Sequence, residues 1–222
     1  MPTTTIFGDP ADGYNRSQDA AYAVARATGT LAFFGTILNV GQDNSGIWCQ
    51  ESLVGFDTSG LTGTVTAATL SLWCTSNGTL FTAEARVFDW GTVADTADWV
   101  AGDSLAGLTL VATLPQAFTV GAYNDFADVA LAANINQAGF TRLLINSDRQ
   151  RLGTAPTGTD ESAGFTEAGA AGTTNDPSLT VTTALVPSAA LSGSALASIT
   201  EGDVVAGGKV LTITLTNATW IP

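Results

Sequence analysis

Residues 46–76 read GIWCQESLVGFDTSGLTGTVTAATLSLWCTS, and this stretch decides the fold. Ile47 to Phe56 and Thr64 to Trp73 are dense in β-branched and aromatic residues, which suit the pleated, half-buried surface of a strand. Between them Asp57, Ser59, Gly60 and Gly63 supply side chains and backbone freedom that favour turns. The stretch therefore predicts two paired strands joined by a turn-rich connection, and an all-β, antiparallel β-sandwich of the jelly-roll type. Cys49 and Cys74 fall on the two segments. A bridge between them is conceivable if their Cβ atoms face each other, whereas a cytoplasmic origin favours free buried thiols.

Working outward, Glu84 to Trp90 is a further strand, followed by a loop carrying Asp95, Asp98 and Trp99. Leu108 to Leu114 alternates as a half-buried strand does. Ala127 to Gln137 places Val129, Leu131, Ala132 and Ile135 at roughly helical spacing before Gly139, which predicts one short helix or turn. Thr141 to Asn146 resumes strand character. Residues 153–177 are rich in Gly, Ala and Thr with little periodicity outside Gly164 to Thr166, and read as a long surface loop. Ser178 to Thr183 closes the domain as a strand after Pro177. The expected organisation is a sandwich over 1–183, an Ala/Ser-rich linker over 184–198, and a β-hairpin tail over 199–222. That tail turns at Gly207 and Gly208, with Val210 to Leu215 as its alternating strand.

The chain has 222 residues, of which 12% are charged, and 45% hydrophobic residues give it enough apolar surface to fold. Its 20 acidic and 7 basic residues leave a net charge of −13, which repels phosphate backbones and anionic lipid. Neither nucleic acid nor a membrane is an expected partner. Arg142, Arg149 and Arg151 form the densest basic group and read as charges solvating a strand end. MPTTTIFGDPADG at the N-terminus has neither the basic nor the apolar region of a secretory signal, and no run of 18 apolar residues occurs. The expectation is a soluble protein made in a cytoplasm.

With 0 histidines, Ser-His-Asp and Cys-His sites and imidazole metal ligands are excluded. Glu84, Asp89, Asp95, Asp98, Asp125 and Asp128 are acids from which a glycosidase pair would have to be drawn. Such a pair needs carboxyl groups about 5–10 Å apart, and surface acids are the expected reading. Calcium accepts loop carboxylates and carbonyls, so Asp9 and Asp12 with Gly13 and Asn15, or Asp125 with Asp128, are candidate cation ligands; turn capping by Asp is the competing reading. Among Trp48, Trp73, Trp90, Trp99 and Trp220, the strand-borne Trp48 and Trp73 read as packing residues. Trp90 and Trp99 flank a loop and are the candidate glycan contacts, since flat aromatic rings pack on sugar faces.

VGFDTSGLTGTVTAATLSLW at 54–73 is similar to the strand-turn-strand core of DNRLRE-type, carbohydrate-binding-module-like jelly rolls, in which a Phe-Asp pair ends one strand and an Ala-x-Leu-x-Leu-like strand follows. VFDWGTVADTADW at 87–99 resembles that family's Trp-containing loop, FADVALAANINQ at 126–137 its Asp-Val segment and short helix, and DPSLTV at 176–181 its closing strand. The likeness spans roughly residues 4–183, without the Asp-Asn-Arg-Leu-Arg-Glu string itself. In the tail, SITEGDVVAGGKVLTITLTNATW at 198–220 resembles a short repeat of virion structural proteins of tailed bacteriophages. The two likenesses together imply an extracellular-type sandwich that leaves the cell by lysis, as part of a particle.

The resulting expectation is a non-enzymatic virion protein, a capsid decoration or cement protein made in the host cytoplasm. Its partners would be the major capsid protein or neighbouring copies of itself, as a homo-oligomer in the particle. Ile199, Val210, Leu211, Ile213, Leu215 and Trp220 would be the inter-subunit contacts, by strand addition. The alternatives are a tail fibre or other receptor-binding appendage that binds cell-surface glycan, and a carbohydrate-binding module of a cellular protein or a small glycoside-active enzyme.

Overall fold

The computed structural model describes residues 1–34, 37–77, 81–158, 161–169 and 174–184, together with the backbone of 188–192 and 212–216. The strands are β1 (Thr3–Phe7), β2 (Gly13–Gln18), β3 (Leu31–Phe34), β4 (Ile37–Asp43), β5 (Trp48–Asp57), β6 (Thr64–Ser76), β7 (Ala83–Val87), β8 (Leu110–Leu114), β9 (Tyr123–Asp125), β10 (Ala127–Asp128), β11 (Phe140–Ser147), β12 (Glu161–Thr166), β13 (Ser178–Ala184), β14 (Ser188–Ser192) and β15 (Thr212–Thr216). Two short helices, α1 (Tyr22–Ala25) and α2 (Asp148–Leu152), interrupt them. The strands from β1 to β13 form one curled sheet in the order β1-β13-β6-β12-β4-β5-β11-β7-β8-β10, with β2 joined to β5 and β3, and β9 to β6. The pairings are antiparallel. The all-β, sandwich-like fold is as the sequence predicts.

Curling brings the two halves of the sheet face to face over one core. Leu70 and Leu72 of β6 and Leu179 and Val181 of β13 meet Leu38 and Val40 of β4, Val54 and Phe56 of β5, and Leu143 and Ile145 of β11. On the opposite face of β5 and β11 a second, smaller core gathers Leu53 and Leu144 under Trp90, Ala94, Val100 and Leu105. The segment 88–108 thus covers the back of the sheet. Burial on both faces explains why Leu53-Val54 and Leu143-Leu144-Ile145 are continuous apolar runs rather than alternating ones.

Several expectations change in detail. β5 and β6 flank the turn at 58–63 but are not partners: β5 pairs with β2, β4 and β11, and β6 with β9, β12 and β13. The connection crosses from one half of the sandwich to the other, and Cys49 and Cys74 are buried and free. Residues 161–166, inside the predicted loop, form β12, a sheet strand between β4 and β6. The predicted helix at 127–137 is the two-residue β10 followed by a 3-10 turn at Ala132–Asn134, because Asp128 caps the chain by accepting from the Leu131 N–H at 2.7 Å. β14 falls within the stretch read as linker and pairs with β15 in a two-stranded sheet of its own. Ile213 and Leu215 lie on β15, opposite Leu191 and Ala189. Gly207, Gly208, Ile199, Val210, Leu211 and Trp220 lie outside the described residues.

Candidate functional site

The aromatic candidates separate by burial. Trp90 is 4% exposed and belongs to the second core, so its rings are covered by protein and offer no face to a sugar. Gly55 makes room for it: a Cβ there would stand 3.1 Å from Trp90 Cζ2. Trp99 is half-buried, with Gly29 against it and its indole nitrogen buried without a hydrogen-bond partner. Trp48 is stacked beneath Arg16, and Trp73 meets Tyr123 edge-on at 5.3 Å. Trp220 lies outside the described residues. An open cleft of about 140 Å³ is lined by Phe140, Arg142, Asp89, Asn134 and Asn136 among others, with the Arg142 guanidinium 4.9 Å from the Phe140 ring centre.

The acids named from the sequence have structural partners. Asp95 and Asp98 cap the 3-10 turn Thr96–Asp98 reciprocally, a geometry that satisfies backbone N–H groups at a helix start. Asp89 pairs with Arg142 at 3.1 Å, and Asp125 accepts from the Ser71 hydroxyl at 2.6 Å. Glu84 is buried between Arg86 and Arg151, each at 2.7 Å. Burial alone would raise its pKa, but the hydrogen bonds from Arg151 and Arg86 outweigh burial and hold the carboxyl below its usual range. The basic group is therefore not one patch: Arg142, Arg149 and Arg151 each answer a different carboxylate, Asp89, Glu161 and Glu84.

Asp12 differs from all of these. The turn after β1 folds back through Asp12 N–H to Asp9 O and Asp9 N–H to Gly55 O, both 2.9 Å. This seats the Asp12 side chain in the protein at 0% exposure. Its Oδ1 accepts from the Gly55 N–H at 2.8 Å, whereas Oδ2 is buried with no hydrogen-bond partner. That oxygen faces Gly8, where a Cβ would come within 2.6 Å of Oδ2, 3.1 Å of the Ala168 Cβ and 3.3 Å of the Pro177 Cβ. Three chain segments converge there, each with its own acid: Asp9 beside Gly8, Glu167 beside Ala168, and Asp176 beside Pro177. Glu167 is 0% and Asp176 4% exposed, and Asp176 Oδ1 is buried without a partner. Burial pushes the Asp12 pKa well up, against the Gly55 hydrogen bond, and the negative fields of Asp9, Glu167 and Asp176 add to it.

Asp9 and Asp12, singled out from the sequence, are thus brought together here. Asn15 turns elsewhere and donates to the Asp95 carbonyl at 2.8 Å. Sequence reasoning missed Glu167 and Asp176, because only the placement of β12 and β13 carries them to a turn more than 150 positions earlier. The signal available was an acid directly after one strand and another two residues before the next. No protein-family model matches the chain, and no curated protein matches it either.

Proposed function

We infer that the protein is a non-enzymatic structural component of a tailed-bacteriophage particle, a capsid decoration or cement protein displayed on the particle surface. The observation that carries this reading is the separate β14–β15 sheet. A two-stranded sheet is marginal in water by itself and gains stability when it packs or extends. Strand addition by a neighbouring subunit would supply that, with main-chain hydrogen bonds giving affinity and alternate apolar side chains giving register. The resemblance of residues 198–220 to a short repeat of phage virion proteins supports an attachment role for the same tail. A compact sandwich whose acids serve as caps and ion-pair partners suits a displayed, passive body.

Removing residues 185–222 tests the reading. Particles assembled with the truncated protein are expected to lack it, while the full chain, followed by gold-labelled antibody, spreads over the head. Full incorporation of the truncated chain would overturn the attachment role of the tail. Label confined to the tail or to one vertex would instead favour a receptor-binding appendage. For that second reading the cleft at Phe140 is the glycan contact to examine, since it sets an aromatic ring beside amide and charged groups.

A further inference from the structure

We propose that the outer edge of β1 pairs with the β1 edge of a second copy of the chain, antiparallel about Thr5, and so joins two sandwiches through one continuous sheet. The path of the sheet ends on β10 and on β1. β10 is two residues long and carries Asp128, and a short, charged strand is a poor template for another chain. β1, TTTIF, has five residues with no charge and no proline. Its residues are exposed apart from the half-buried Ile6, and among the described residues β13 is its one strand partner.

The register shows which backbone groups are free. Pro2 O accepts from the Thr183 N–H at 3.0 Å, and the Gly8 N–H donates to Pro177 O at 2.8 Å. The even-numbered residues therefore exchange hydrogen bonds with β13, and the N–H and C=O groups of Thr3, Thr5 and Phe7 point to the open edge. The hydroxyls agree: Thr3 with Thr182 and Thr5 with Thr180 meet at 3.2 Å, as side chains do at the closer, non-hydrogen-bonded positions. An antiparallel copy centred on Thr5 sets Thr3 opposite the partner's Phe7 and Thr5 opposite the partner's Thr5. Each such pair can exchange both of its hydrogen bonds. This spacing about a central residue is self-complementary, as a two-fold interface requires, so a second copy is the occupant it fits. On the inner side an open cavity of about 240 Å³ lies along β1, lined by Thr4, Ile6, Leu61 and Thr62 among others. The same pairing brings the partner's Ile6 beside Thr4, at that cavity. The dimer goes beyond the particle reading and does not depend on it.

The test is disulfide cross-linking of full-length cysteine variants beside light scattering over a concentration series. Cys49 and Cys74 are buried and free, so the native background is quiet. Thr5→Cys places two sulfurs across the axis with Cα atoms about 5.5 Å apart, within disulfide range, and a mild oxidant is expected to convert it to a covalent dimer. Thr3→Cys lies on the same face of the strand but faces the partner's Phe7, about 14 Å from its own copy, and should not cross-link. Wild-type protein is expected to dimerise as its concentration rises. Thr5→Pro removes an outward N–H and no bond to β13, which an edge strand tolerates, and should weaken dimerisation roughly tenfold or more. Phe7→Lys puts a charge on the edge and serves if Thr5→Pro fails to fold. Wild-type protein that stays monomeric throughout, or equal cross-linking of Thr3→Cys and Thr5→Cys, overturns the proposal. So does dimerisation that survives Thr5→Pro and Phe7→Lys and is lost only without residues 185–222, which would assign the contact to the tail strand.

Discussion

Glu51 sits on β5 in the shell beneath segment 88–108, accepting from the Val100 N–H at 3.1 Å and from the Gln150 amide at 2.6 Å. Burial lifts its pKa from 4.5 to about 8 despite those two hydrogen bonds. Between these values the folded chain holds a proton that the unfolded chain has released, so stability falls as pH rises through the window. The slope reaches about 1.4 kcal/mol per pH unit. Glu51→Gln is expected to flatten the pH dependence between pH 5 and 8 and to be the more stable form at pH 8, as read by denaturant titration. A wild-type-like slope in the variant would assign the effect to other groups, of which Asp12 has the same sign.

At the scale of elements, the segment 88–108 shows how much a loop can contribute to a fold. It has little regular structure beyond the 3-10 turns Thr96–Asp98 and Leu105–Gly107, yet it buries Trp90, Val100 and Leu105 on the back of β5 and β11. Trp90→Ala is expected to cost about 3–5 kcal/mol, the range for a large core aromatic, and to open the segment to proteolysis. Trp90→Phe should cost much less, because the indole nitrogen has no hydrogen bond to lose. Calorimetry and limited digestion of the two variants check this together. The strands around this loop were legible wherever apolar residues were dense, as in β5, β6 and β11. β12 was not: ESAGFT has small residues where it faces β4 and β6, with Gly164 lying 2.7 Å from the Ser76 hydroxyl by its missing Cβ. A strand made of Ser, Ala and Gly in the middle of a sheet is selected by close packing with its neighbours, and propensity carries no trace of that.

At the scale of the whole molecule, β1 pairs with β13 at one edge of the sheet, which sets the first strand beside the last in the sandwich, with Thr3 opposite Thr182. Both cysteines are inside it at 0% exposure, and burial, first of its causes, pushes the Cys49 thiol up to about 12. Reaction with a thiol reagent is therefore expected to wait for unfolding. Two thiols should titrate in denaturant, few in the native protein, and reductant should leave Tm unchanged. A reductant-sensitive Tm would indicate a bridge. By itself the sequence determined the all-β class, the main strands, the turn chemistry at 57–63 and the acids of the first turn, because hydrophobic density, β-branching and Asx or Gly turns act over a few residues. The tertiary structure alone decided that β5 and β6 belong to opposite halves, that Trp90 is core, and that Asp12 is buried within the electrostatic reach of Glu167 and Asp176. Those outcomes depend on register and sheet curvature, which arise from contacts between segments far apart in the chain and leave no local pattern to read.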